Sequence, residues 1–237
     1  TRISARRTGV GCEGVILIQP SASADFRMRF FNPDGKEVEM CGNGARCVAR
    51  LAHELGVASA GMTIETVAGV LKADALGEQV RLKMTAPTDL RLDGTLDDWD
   101  EGPLAYGFVN TGVPHVVVET AALPDLDVRK LGAFIRYHQA FAPAGANANF
   151  ISATGPRELS IRTYERGVEA ETLACGTGIV AAAVVAGRRG RVAPPVKVRA
   201  AGGDTLTVDY TLDGETVRDV TLLGPAVRVF QGALEYP

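Results

Sequence analysis

Long apolar runs are missing from this chain. The longest, IVAAAVVAG at 179–187, falls far short of the roughly 18 to 20 residues that a bilayer-crossing helix needs. It reads as a buried helix, and no membrane partner is expected. An excess of basic residues is missing too: 25 Lys and Arg stand against 28 Asp and Glu, for a net charge of −3. That leaves no electrostatic footprint for nucleic acid, and Arg6-Arg7 and Arg188-Arg189 read as solvated surface. Cysteine is sparse. The four residues, at positions 12, 41, 47 and 175, have neither the C-x-x-C spacing of a zinc site nor the density of a disulfide scaffold. Reduced thiols and no metal are expected. Residues 1–10, TRISARRTGV, lead into no apolar core with a cleavage site, so no signal peptide is read and a cytoplasmic location is expected.

What is present fits an ordinary folded protein: 237 residues, 46% hydrophobic and 22% charged, with 27 glycines. That length suits one large domain or two small ones, and the glycines indicate many tight turns. Alternating apolar stretches predict strands over 14–20, 25–32, 62–76, 78–84, 114–120, 149–155, 158–167, 196–211 and 216–230. Only 43–55, 128–138 and 177–187 look helical. In the first, Cys47, Val48, Leu51, Ala52 and Leu55 form an apolar stripe that ends at Gly56.

Two blocks match. RFFNPDGKEVEMCGNGARCVARLAHELG at 29–56 and RTYERGVEAETLACGTGIVAAAVVAGRRG at 162–190 each run strand, polar loop, Glu, Cys-Gly-polar-Gly, helix, glycine stop. Glu37 and Glu171 each stand four residues before their cysteine. A period of about half the chain is too long for a solenoid. We therefore expect an α/β (α+β) fold of two pseudo-symmetric halves, each a mixed, mainly antiparallel sheet wrapped around a central helix, with the active site in the cleft between them. The first half spans 1–90 and is completed by a C-terminal strand at 226–237. The second spans 104–225, and the Asp- and Gly-rich stretch 91–103 connects them.

A cysteine followed by glycine at the mouth of a helix meets unpaired backbone N–H groups and the positive end of the helix dipole. That setting favours thiolate, and the same N–H groups can hold a carboxylate. One such cysteine could be a nucleophile or a redox thiol. Two, facing each other across a cleft, suit inversion of a stereocentre, which needs a base on one face of a carbon and an acid on the other. Cys41 and Cys175 are the candidates. Cys12 and Cys47 read as core residues, since free cysteine behaves as a small hydrophobe.

FNPDGKEVEMCGNGARC and YERGVEAETLACGTG closely resemble the two signature segments of diaminopimelate epimerase. GVGCEGVILIQPS at 9–21, NTGVPHVVV at 110–118 and GANANF at 145–150 resemble the flanking segments of that family. The resemblance implies a cofactor-independent isomerase interconverting LL- and meso-diaminopimelate for lysine and cell-wall synthesis, with no pyridoxal phosphate. It makes Cys41 and Cys175 the acid/base pair. It further implies that Asn32, Asn147, Glu165 and Arg166 hold the distal amino-acid end of the substrate, and that Gly42-Asn43 and Gly176-Thr177 take the reacting carboxylate. Family members are often dimers, so the resemblance allows a homodimer.

The chain departs from the pattern in places. The opening strand and Gly-Asn-Asp-Phe turn of the family do not precede Thr1, so the first half is expected to lack its N-terminal strand. Val113 replaces an Asn that touches substrate, and a valine cannot donate that hydrogen bond. ERGVEAET is one residue longer than the commonest form, with Ala170 where Gly is frequent. Three alternatives stay open: a racemase or epimerase of another amino acid, histidine or proline-type; a catalytically impaired, truncated homologue; or a thiol redox or binding protein. Glu165-Arg166 argues for a substrate with its own charged distal end, and Asn43 argues against the CGHG phrase of proline racemases.

Overall fold

The computed structural model describes residues 1–234. The chain packs as two units: Thr1–Leu82 with the C-terminal segment from Gly224, and Lys83–Leu223.

In the first unit β1 (Val15–Gln19), β2 (Phe26–Phe31) and the short β3 (Glu37–Val38) lead into α1 (Gly42–Glu54). After it come β4 (Gly61–Thr66), β5 (Gly69–Leu76) and β6 (Gln79–Lys83). β4 returns parallel to β2, with Phe26 opposite Ile64, and β4–β5–β6 form an antiparallel meander. Alternation places Phe26, Met28, Met62, Ile64, Ala73, Ala75, Val80 and Leu82 inside, beneath Ala45, Val48, Ala49 and Ala52 of α1. Among the described residues of this unit, β1 pairs with one strand, β2.

The second unit contains β7 (Thr88–Leu96), β8 (Leu104–Asn110), β9 (Pro114–Glu119) and α2 (Val128–Tyr137). It continues through β10 (Asn147–Gly155), β11 (Glu158–Glu165), β12 (Ala170–Thr172) and α3 (Gly176–Arg188) to β13 (Val196–Arg199), β14 (Thr205–Asp213) and β15 (Thr216–Pro225). α3 has no polar face, and residues 178–186 are all buried. A helix of that kind must be enclosed on every side, and α3 touches β7, β8, β9, β10, β11, β13 and β14. The opposite face of β8–β10 packs on α2: Phe108, Val116, Val118 and Phe150 point to α2, while Val109, Val117 and Ile151 point to α3. Strands buried on both faces read as near-continuous apolar runs, as VVV at 116–118 does.

The duplication is real at the level of elements. β2–β3–α1–β4–β5–β6 and β11–β12–α3–β13–β14–β15 follow the same order, each with a parallel return after the helix (β2 with β4, β11 with β13) and two antiparallel partners beyond.

Three details differ from expectation. Residues 91–96 of the stretch 91–103, expected as a connector, belong to β7. Gly94, which reads as a loop signal, lies under the Tyr106 ring opposite it in β8; a Cβ there would sit 2.3 Å from Cζ. It is a strand glycine covered by an aromatic neighbour, not a breaker. The C-terminal segment forms no strand over 226–234, and 235–237 lie outside the described residues. Side chains of α1 hold the segment instead: Arg46 donates to the Pro225 carbonyl, Arg50 to that of Ala226, and Arg228 pairs with Glu54.

The third correction concerns α1. Its buried row is Gly44, Ala45, Val48, Ala49 and Ala52, whereas Cys47, Leu51 and Leu55 are exposed. Small residues set this rotation: a Cβ on Gly44 would come within 3.1–3.2 Å of Ile16, Met28 and Phe30. The sheet comes closest where side chains are smallest. Cys12 is half-buried, its thiol donating to Ser4 Oγ at 3.5 Å.

Candidate active site

Each candidate catalytic cysteine caps the helix of its own unit. Cys41 is the N-cap of α1, in extended conformation (φ −138, ψ 114), and its half-buried sulfur accepts the Gly44 N–H at 3.4 Å. Cys175 is the N-cap of α3 with nearly the same backbone (φ −117, ψ 109). Its sulfur lies 3.5 Å from the Thr177 hydroxyl and is buried. At Cys41 the side chain satisfies a helix N–H that would otherwise lack a partner. The third residue after each cysteine is glycine for a packing reason. Gly44 faces Ile16, Met28 and Phe30, and Gly178 faces Asn149, whose Oδ1 would lie 2.4 Å from an added Cβ.

The electrostatic setting of Cys175 reverses the expectation from the helix dipole. Burial, followed by the neighbouring Glu165 carboxylate, pushes its thiol up to about 12. The N–H groups of Thr177 and Gly178 pull the other way and lose. Burial likewise raises Glu165 above the ordinary carboxylate range, against the opposing pull of Thr172 and Cys175. Cys175 therefore holds its proton at neutral pH.

The hairpins ahead of the two cysteines correspond along their strands and differ by one residue in the turn. Phe31 lies opposite Glu37 across β2–β3, and Tyr164 lies opposite Glu171 across β11–β12. The next residues, Asn32 and Glu165, therefore hold equivalent places. The first carries an exposed amide at the tight turn closed by Gly35 N–H to Asn32 O, at 2.8 Å. The second carries the carboxylate that meets Cys175.

The longer turn after Glu165 is closed by Glu169 N–H to Glu165 O at 2.8 Å, and Glu169 takes a positive φ of 57°. Glu169 also receives the Gly167 N–H at 3.0 Å and Arg136 Nε at 3.1 Å. The extra residue of this loop is thus accommodated by internal bonds.

The remaining expected site residues divide by exposure. Asn43 is exposed and receives Arg46 Nη2 at 3.1 Å; Gly42, Gly176 and Thr177 are half-buried at the two helix starts. Asn147 is buried, and its amide is engaged by backbone at both ends: Nδ2 donates to Pro114 O at 3.2 Å and Oδ1 accepts Arg166 N–H at 2.8 Å. Arg166 is half-buried, with Nη1 donating to Ala144 O at 3.2 Å. Val113 contributes a carbonyl to the Thr111 N–H at 3.2 Å.

Sequence reasoning missed a supporting network. Asn149 donates to Val116 O at 2.9 Å and to His115 Nδ1 at 3.1 Å, and accepts the Thr163 hydroxyl at 3.1 Å. With Nδ1 accepting, the His115 proton sits on Nε2, which among the described residues has no hydrogen-bond partner. Burial, helped by Arg166, lowers His115 to about 3 and keeps it neutral. Thr111 Oγ1 donates to Thr177 O at 3.0 Å, steadying the first turn of α3. The signal available in the sequence was the alternation of Asn147 and Asn149 along an otherwise apolar strand.

No group of His, Cys, Asp or Glu among the described residues could hold a metal ion, and no helix there is long and apolar enough to cross a membrane.

Comparison with known proteins agrees with this arrangement. The family model described as diaminopimelate epimerase matches residues 1–89 and 107–229. The diaminopimelate epimerase of Aquifex aeolicus is 42% identical over 98% of this chain and 84% of its own length. That of Chlorobaculum tepidum is 43% identical over 97% of this chain and 88% of its own. Among solved structures, a probable proline racemase from Agrobacterium radiobacter matches with a TM-score of 0.70 at 20% identity, covering 99% of this chain and 80% of that one. Identity that low speaks to the fold alone. Geometry, family model and relatives converge: the chain belongs to the diaminopimelate epimerase family.

Proposed function

We propose that this protein is a cofactor-independent epimerase of the cytoplasm that interconverts LL- and meso-diaminopimelate, with Cys41 and Cys175 as its two acid/base groups. The observation that carries the assignment of roles is the repeated placement of a cysteine at a helix start, with only one copy beside a carboxylate. Cys175, buried next to Glu165 and carrying its proton, is the acid. Cys41, whose sulfur accepts the Gly44 N–H, fills the position of a thiolate base.

In one direction Cys41 takes the α-proton, the electron pair is left on the α-carbon and spreads into the α-carboxylate, and Cys175 delivers its proton to the opposite face. The product has the inverted centre, and the thiol and thiolate have exchanged places. The reverse reaction uses them in the opposite order. The N–H groups of Gly42-Asn43 and Gly176-Thr177, with the Thr177 hydroxyl, take the carboxylate. Preorganised donors at helix starts stabilise charge developing there as the proton leaves. Arg166, held by Asn147, and Asn32 serve the distal amino-acid end of the substrate. Glu165 serves that end as well and, from its place beside Cys175, keeps that thiol protonated between turnovers.

Incubation of LL-diaminopimelate with the reduced protein in heavy water tests this reading. Deuterium should enter the α-position with formation of the meso isomer, and Cys41→Ser or Cys175→Ser should suppress inversion. Absence of exchange with reduced protein would overturn it, and exchange of another amino acid in preference to diaminopimelate would reassign the substrate.

A further inference from the structure

Arg29 on β2 grips Glu37 on β3 through two parallel bonds, Nε to Oε1 at 2.9 Å and Nη2 to Oε2 at 2.7 Å. Arg162 on β11 grips Glu171 on β12 in the same way, Nε to Oε1 at 2.8 Å and Nη2 to Oε2 at 2.8 Å. The geometry repeats beyond the pair itself. Each arginine lies two residues before the strand residue paired with its glutamate, Phe31 opposite Glu37 and Tyr164 opposite Glu171. Each glutamate lies four residues before its cysteine. β3 is two residues long and β12 three, too short for backbone pairing alone to hold them.

An isolated surface ion pair contributes little. These pairs differ in that both are bidentate, both are partly shielded, and both recur at one structural position in the two units. The fork-on-carboxylate arrangement fixes direction as well as distance.

We propose that Arg29–Glu37 and Arg162–Glu171 are twin positioning clamps, each holding the short strand that delivers Cys41 or Cys175 to its helix N-terminus. This rests on the two-thiol reading above for its consequence in catalysis, but not for the clamp itself. The clamp acts through a chain of four residues. With the glutamate tied to the longer strand, the segment to the cysteine keeps the extended backbone that puts sulfur over the first helix N–H groups. The two clamps are not equally embedded. Arg162 Nη1 also donates to the carbonyls of Leu123, Pro124 and Leu126, at 3.0, 3.2 and 2.9 Å. Arg29 instead stacks over Phe31, 4.9 Å from the ring centroid.

The test compares Glu37→Gln, Glu171→Gln, Arg29→Lys, Arg162→Lys and the exchange Arg29→Glu with Glu37→Arg. Two readouts are taken. The first is the pH profile of alkylation of each cysteine by iodoacetamide, resolved by mass spectrometry, which needs no substrate. The second is kcat and KM for diaminopimelate. Glu37→Gln and Arg29→Lys should move the Cys41 profile by about half a pH unit or more and leave that of Cys175 in place; the variants at 162 and 171 should do the reverse. kcat should fall about tenfold with KM nearly unchanged, because a displaced thiol affects proton transfer more than binding. The exchanged pair should recover most of the loss.

The lysine variants keep the charge and lose the fork, so they report on positioning even where a glutamine variant folds poorly. Full activity and unshifted alkylation in Arg29→Lys and Arg162→Lys would overturn the clamps. An inactive parent protein whose alkylation profiles still respond pair by pair would overturn the epimerase reading and leave the clamps standing.

Discussion

Asn147 holds the Arg166 backbone N–H at 2.8 Å with one end of its amide and the Pro114 carbonyl at 3.2 Å with the other. It thereby ties the starts of β9 and β10 to the end of β11, where Glu165 and Arg166 stand. The amide is buried, and its two backbone partners are partly so, which limits how well water can replace it. Asn147→Ala should lower unfolding stability by about 1–3 kcal/mol, the cost of leaving buried polar groups unsatisfied. Asn147→Asp should cost at least as much, because a carboxylate cannot donate to Pro114 O. Urea unfolding of the three proteins measures this, and an unchanged midpoint for Asn147→Ala would show the amide to be dispensable for the fold.

Glu165 and burial act together on Cys175. Replacing the carboxylate by an amide removes the charge and leaves the burial, so Glu165→Gln should bring the Cys175 thiol down from about 12 but not to its ordinary value near 9. Thiolate-specific alkylation followed against pH reports the midpoint. The same shift makes a statement about stability. The pKa is raised in the folded state, so its contribution is complete below about pH 9 and is lost as pH rises toward about 12. Melting temperatures between pH 8 and 11 should therefore fall less steeply in Cys175→Ala than in the parent protein.

His115 has the opposite sign. Burial, and then the Arg166 charge, lower it from 6.5 to about 3. A depressed folded-state value means the contribution is complete above pH 6.5 and is lost as pH falls toward 3, at about 1.4 kcal/mol per pH unit through that window. His115→Gln keeps an amide within reach of Asn149 and removes the titration. It should be less stable than the parent at pH 7 yet lose less on acidification to pH 4.5. Parallel slopes for the two proteins would show that His115 does not titrate in this window.

Much of this arrangement was legible in the sequence, and what escaped did so for physical reasons. The Cys-Gly-polar-Gly phrases located both helix starts, because an N-cap followed by small residues is a local signal. The wholly apolar 179–187 announced an enclosed helix, because nothing else can hide that surface. β7 escaped because Gly94 and the surrounding Asp residues mimic a loop; the covering ring of Tyr106 comes from the next strand and has no local trace. The stripe on α1 was rotated for a related reason: Val48 and Ala52 do face inward, while Cys47, Leu51 and Leu55 do not. Hydrophobicity favoured Cys47, Leu51 and Leu55, but close approach to the sheet is set by Gly44, Ala45 and Ala49, whose small size is a tertiary matter. The rise of the Cys175 thiol escaped entirely, since it depends on Glu165 arriving from β11 and on complete burial. The helix start by itself argues for the opposite direction.

Three of the four glycines at the helix starts, Gly42, Gly44 and Gly178, should respond to alanine in a definite order. At Gly42, the first residue of α1, an added Cβ meets nothing within 4 Å, so Gly42→Ala should be neutral or slightly stabilising through reduced freedom of the unfolded chain. At Gly44 the Cβ would come within 3.1–3.2 Å of the ends of Ile16 and Met28, which can retreat by tenths of an ångström, and of the edge of the Phe30 ring. A loss of at most about 1 kcal/mol follows. At Gly178 the Cβ would come within 2.4 Å of Asn149 Oδ1. Asn149 cannot retreat without breaking its bonds to Val116 O, His115 and Thr163, all of them buried. Gly178→Ala should therefore cost about 1–3 kcal/mol by overpacking, with unsatisfied polar groups adding to it. It should also disturb Cys175, whose Cβ lies 3.4 Å from the new atom. Thermal melts of the three variants read the order directly. A Gly178→Ala protein as stable as Gly42→Ala would mean that the Asn149 network yields freely, and would remove it as the rigid support of α3.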